Sequence, residues 1–230
     1  MNKKIVVIGG GTGTFTVLSG LKKYPVDLSA VVSMADDGGS TGILRDELGV
    51  LPPGDIRQCL VALSTSDLLM RKLMNYRFPS GTLKGHTFGN IFLSTLQKIS
   101  EILRLQGHVI PATLDKVRLV AFLTDGTLLR GQSLISKSNL DKLKKIILEP
   151  RANANPKALR AIRESDLIII GPGDLYSSLI PNFLISGISR TIVRSPARKV
   201  YVCNLMNRPA QTDHFTACDY ARQIEEYLGG

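Results

Sequence analysis

Residues 4–32, KIVVIGGGTGTFTVLSGLKKYPVDLSAVV, constrain the fold of this chain more than any other stretch. Lys4–Ile8 is a short, unbroken apolar run rich in β-branched residues, the pattern of a strand buried on both faces of a parallel sheet. A glycine loop follows at once. From Thr14 to Lys23 the apolar residues Phe15, Val17, Leu18 and Leu21 recur at helical spacing until Pro25 ends the run, and Leu28–Met34 reads as a second strand. Strand, loop, helix and strand within about thirty residues make a βαβ unit, whose crossover is right-handed and whose ligand crevice lies at the carboxyl ends of the strands.

The stretch ADDGGSTGILRDELGVLPPGD mixes glycines and prolines with acidic residues and reads as a functional loop on that ligand edge. Helical patterns follow over Ile56–Ser64, Asp67–Phe78 and Phe88–Ile99, the last with Ile91, Phe92, Thr95, Leu96 and Ile99 on one face. Val117–Leu123 and Leu128–Ile135 flank Asp125–Gly126, a dipeptide favoured in tight turns, and predict a small β-hairpin over about 117–135. The βα pattern returns with a helix over Lys157–Glu164, a strand over Asp166–Ile170 ending at Gly171-Pro-Gly, and a helix over Tyr176–Ile185. Arg198–Leu205 is the last strand and Thr216–Leu228 the last helix. The whole, 1–230, is expected to be one α/β domain: a mainly parallel sheet with helices on both faces and a hairpin decoration.

Composition narrows the function. No apolar run approaches the roughly 18 residues a spanning helix needs, and MNKK runs straight into a strand, so a soluble, cytoplasmic protein is expected, with no membrane span. Cys59, Cys203 and Cys218 lack zinc-site spacing and are expected to be reduced and buried, without a nucleophilic role. A formal charge of +10 calls for an anionic partner. That partner could be nucleic acid, an acidic membrane surface or a phosphate-bearing metabolite, but the basic residues are dispersed and not interleaved with aromatics, which favours a solvated basic surface over a nucleic-acid site.

Five constellations carry chemistry. Gly10, Gly11, Thr12 and Gly13 sit between strand and helix, where bare backbone N–H groups and the helix dipole suit phosphate. The dinucleotide fingerprint is incomplete, because its third glycine is missing, and no P-loop motif is present. Asp36, Asp37, Gly38, Gly39 and Ser40 follow the second strand and could accept from sugar hydroxyls or hold Mg²⁺, with Asp37 the metal candidate. Asp55 occupies an N-cap position and Arg57 the first turn, where a cation opposes the dipole unless it faces an anion. His86 stands among small loop residues near Asn90, so His86 and Asp37 are the candidates for acid–base work. Gly171, Gly173, Asp174 and Tyr176 repeat the strand–loop–helix logic; Tyr176 is poised either to stack on a ring or to pack in the core. Asn204, with Cys203, Gln211 and Thr212, lies beyond the last strand on the same edge.

Taken in order, GGGTG, ADDGGSTGILRDELGVLPPGDIR, GHTFGN, GPGDLYSSLIPN and YVCNLM followed by QTD resemble the bacterial gluconeogenesis-factor family, a branch related to 2-phospho-L-lactate transferases. The resemblance spans nearly the whole chain. It implies a Rossmann-like fold and a cytoplasmic protein needed for gluconeogenic growth and normal cell shape, with a UDP-sugar such as UDP-N-acetylglucosamine as ligand. The transferase branch instead joins a guanylyl-activated phospholactate to a deazaflavin alcohol in the presence of Mg²⁺. The glycine triplet followed by Thr-Gly looks like the first branch, which favours binding over transfer; association into a homo-oligomer is left open. Two departures stand out. Members often carry serine where this chain has Asp174, and they usually continue past the helix ending near Leu228.

Overall fold

The computed structural model describes residues 2–65, 68–95 and 105–229. Strand β1 (Lys3–Gly9), helix α1 (Gly11–Leu21) and strand β2 (Val26–Val32) form the βαβ unit, paired in parallel from Lys3 opposite Val26 to Gly9 opposite Val32. Helices α2 (Gly39–Leu48), α3 (Pro53–Leu63), α4 (Leu68–Asn75) and α5 (Phe88–Thr95) follow, then β3 (His108–Pro111). Strands β4 (Arg118–Leu123) and β5 (Leu128–Arg130), helix α6 (Gln132–Lys137) and strand β6 (Leu143–Glu149) form the next group. Helix α7 (Pro156–Glu164) leads to β7 (Leu167–Ile170), a π-helical turn over Leu175–Leu179, α8 (Ile180–Phe183), α9 (Ile188–Arg194), β8 (Arg198–Tyr201) and α10 (Ala217–Leu228).

The main sheet has the order β3-β2-β1-β7-β8 and every pairing in it is parallel. Its alternating side chains feed two cores. Ile5, Val7, Leu28, Ala30, Val32 and Ile169 face α1 and α3, meeting Leu18, Cys59, Ala62 and Leu63. Val6, Ile8, Val31, Ile168 and Ile170 face the other way, onto residues of α7 to α10 and onto the small sheet. Leu18 is wholly buried, so truncating it to alanine would cost about 2–5 kcal/mol. This is the Rossmann-like α/β arrangement, and strand order reverses between β1 and β7, where such sheets open their crevice.

Four expectations need correction. The loop expected after β2 is largely helical, because α2 buries small polar residues, Ser40, Thr41 and Gly42, in place of an apolar stripe. The hairpin is a three-stranded antiparallel sheet, β5-β4-β6: β6 grows out of a lysine-rich segment whose Ile146 and Leu148 point inward. Leu128–Ile135 is not one strand, since Gly131 at φ +107° turns the chain from β5 into α6. The expected last strand also stops at Tyr201, and Leu205 beyond it is 99% exposed. Asp67, Leu96 and Ile99 lie outside the described residues. No described helix is long and apolar enough to cross a membrane.

Candidate functional site

Because the strands run parallel, the loops after β1, β2, β7 and β8 converge on one edge. Gly10 caps α1 without a side chain, Gly11 takes φ +69°, and Gly38 caps α2 likewise. The N-termini of α1, α2 and α3 and the π-helical turn capped by Asp174 thus all open toward this edge, presenting partial positive charge. Gly13 is required by close approach: a Cβ there would run into the carbonyl oxygen of Pro172, so the β1 and β7 loops lie against each other. The Thr14 hydroxyl turns inward to the Gly10 carbonyl at 3.3 Å, whereas Thr12 is exposed.

On the β2 side sits a pair of acids. Asp55 accepts from the Gly11 N–H at 2.9 Å, and Asp36 accepts from the Gly38 N–H at 3.0 Å. A Cβ at Gly54 would collide with Asp36, and one at Gly10 with Asp55, so glycines bring both carboxyls close to the backbone. Burial, reinforced by the charge of Asp36, pushes the Asp55 carboxyl up to about 7, and burial also raises Asp36. Next to them Arg57, 8% exposed, donates to Asn90 Oδ1 at 2.9 Å and to Asn75. Asn90 passes the network on to Ser40 Oγ at 2.9 Å and Thr41 Oγ1 at 3.4 Å. Arg57 is held below its ordinary pKa first by burial and then by Arg77.

On the β7–β8 side the side-chain amide of Asn204 clamps the backbone of Gly173, accepting from its N–H at 3.2 Å and donating to its carbonyl at 2.9 Å. Asp174 pairs with Arg208 at 2.6 Å. Arg208 also donates to the Ser136 carbonyl at 2.6 Å and Ser136 Oγ at 3.0 Å, tying α6 to this loop. A cavity of about 570 Å³ opens between Asp174, Asn204 and Arg208.

The predicted residues therefore fall into groups. The glycine loop, Asp36, Ser40, Asp55, Arg57, Asn90, Gly171, Gly173, Asp174 and Asn204 share the edge. Asp37, the metal candidate, turns away: its Oδ1 accepts from the Ser133 N–H at 2.7 Å at the start of α6. Tyr176 is 7% exposed within the larger core. His86 lies in the loop before α5, and its buried Nδ1 has no hydrogen-bond partner. Gln211 and Thr212 serve packing, Gln211 Nε2 donating to the Ile135, Ser136 and Ser138 carbonyls and Thr212 accepting from Tyr220. Of the cysteines only Cys59 is buried, its thiol pushed up by burial; Cys203 is intermediate and Cys218 exposed, which corrects the expectation for those two. Arg208 and Asn75 were not anticipated. An arginine placed between Asn207 and Pro209, on an edge already carrying Asp174, was the available signal for the first.

Among the described residues no cluster of three or more His, Cys, Asp or Glu is arranged to hold a metal. Asp36 and Asp55 are the two acids of this edge, and burial disfavours the charged form of both.

Compared with known proteins, residues 5–230 match the family described as 2-phospho-L-lactate transferase CofD. The chain belongs to the CofD family. It is 42% identical over 98% of its length to the "Gluconeogenesis factor" of Bacillus subtilis, covering 75% of that protein. A Nostoc sp. protein named "Putative gluconeogenesis factor" is 48% identical over 98% of this chain. The chain spans only about half the length of some of these relatives, 52% of the Nostoc protein and 54% of one from Clostridium acetobutylicum. A crystal structure of a Bacillus halodurans protein, 42% identical, superposes on the whole CofD-family chain with a TM-score of 0.94 and is covered over 78% of its own length.

Proposed function

We propose that this CofD-family chain binds a nucleotide sugar of the UDP-N-acetylglucosamine type in the cytoplasm. It acts as a regulatory binding protein in gluconeogenic growth and cell-shape control. The observation that carries the reading is the convergence of three helix N-termini and two glycine loops on one sheet edge, with Asp36 at the end of β2. Backbone N–H groups there suit a diphosphate, and an acid at the end of the second strand suits ribose hydroxyls. The name of the relatives supports the physiological part. The test is calorimetric titration with UDP-N-acetylglucosamine, GDP and NAD, each with and without Mg²⁺. Saturable binding of the UDP-sugar in preference to the others is expected; equal affinity for all three, or none, overturns the reading.

A second reading rests on the Asp36–Asp55 pair. A Mg²⁺-dependent transferase of the 2-phospho-L-lactate type would use these two carboxylates to hold the cation, which neutralises charge on the transferred phosphoryl group. Arg57, anchored by Asn90 and Asn75, would bear on the same anion. Preference for GDP that appears only with Mg²⁺, together with its loss in Asp55→Asn, would replace the first reading by this one.

A further inference from the structure

We propose that the cavity between Asp174, Asn204 and Arg208 receives the sugar of the bound nucleotide sugar, its apolar rim taking the acetyl methyl of an N-acetylhexosamine. The inference rests on the nucleotide-sugar reading above and gives the sugar of that ligand a place. In a βαβ nucleotide site the acid ending the second strand lies on the nucleoside side, and the glycine loop takes the phosphates. Here that acid is Asp36, so the group beyond the diphosphate falls across the β1–β7 switch point, on the β7–β8 side. The cavity lies there, bounded by the Gly173 loop, which approaches to within 3.7 Å of the Gly10 carbonyl when measured from a Cβ built on Gly173.

Its chemistry suits a hydroxyl-bearing group. At about 570 Å³ it has the size of a ligand pocket. Among the described residues no Phe, Tyr or His lines it, so they offer a nucleobase no stacking face. Arg208 is already paired with Asp174 at 2.6 Å, and exposed Lys137 is the other cation of the lining. Both bonds that Asp174 accepts, from Arg208 and from Ser177 Oγ, fall on Oδ2, so Oδ1 remains an available acceptor for a sugar hydroxyl. Asn207 similarly uses its amide N–H on the Phe215 carbonyl and retains its oxygen. Met206, 80% exposed, and Pro209 supply an apolar rim beside these acceptors. An exposed methionine next to polar groups is adaptable surface for a small methyl-bearing substituent.

The experiment compares UDP, UDP-glucose and UDP-N-acetylglucosamine by calorimetry on the wild-type chain, Asp174→Ala and Met206→Ala, with thermal melts confirming that each variant folds. Asp174→Ala is expected to weaken both UDP-sugars roughly tenfold while leaving UDP within about twofold. Met206→Ala, a change at an exposed side chain that no core packing depends on, should reduce preference for the N-acetyl sugar over glucose about threefold. Equal weakening of UDP and the UDP-sugars, or variants indistinguishable from wild type in sugar preference, overturns the sugar assignment while leaving the nucleotide reading intact. Failure of the wild type to bind UDP at all overturns the nucleotide reading and this one with it.

Discussion

Asp55 sets the pH behaviour of this site. Its carboxyl titrates near 7 in the fold and in the ordinary carboxylate range once unfolded, so between those limits the folded chain binds more protons than the unfolded one. Stability contributed by this group is therefore full below the unfolded value and is lost as pH rises toward about 7. Thermal melts across that window should show the decline, and Asp55→Asn, which keeps an acceptor for the Gly11 N–H, should flatten it. A wild-type profile that rises over the same window would contradict the buried-acid account. Gly13→Ala should cost roughly 1–3 kcal/mol, read by urea unfolding, because its methyl meets the Pro172 backbone, which cannot swing aside as a side chain could. The glycine loop was legible in sequence since close approach leaves glycine little alternative. Asp36 and Asp37 were not separable: they are adjacent in the chain, but the turn into α2 sends one to the ligand edge and the other to α6. The role of Arg208 was hidden because its acidic partner is 34 residues away.

Among the elements, α6 depends on a cap from outside itself. Asp37 supplies the acceptor that its own N-cap, Gly131, cannot. Asp37→Ala should cost about 1 kcal/mol in chemical denaturation, the ordinary value of a lost cap, and leave nucleotide affinity unchanged. Strong loss of Mg²⁺-dependent binding in that variant would return Asp37 to the ligand site. The βαβ unit, α7, β7 and α10 were readable because strand-like runs and helical spacing occupied separate stretches. Others were not. Helix α2 packs through small polar residues and glycine, β6 hides its inward Ile146 and Leu148 behind consecutive lysines, and β3 is a four-residue strand ending in proline.

For the whole molecule, a ligand that binds only the folded state must stabilise it. UDP-N-acetylglucosamine at a hundred times its Kd should add about 2.7 kcal/mol to the unfolding free energy. A melting temperature that does not move at saturating ligand would contradict specific binding. The two sides of the crevice are also linked by one short helix. Helix α6 is held near its start by Asp37, from the loop after β2, and near its end by Arg208 and Gln211, from the loop after β8. Six residues of helix measure about 9 Å, so α6 acts as a ruler laid between the loop after β2 and the loop after β8. Lengthening it by one turn, about 5.4 Å, would leave each loop folded but displaced relative to the other, splitting one crevice into two.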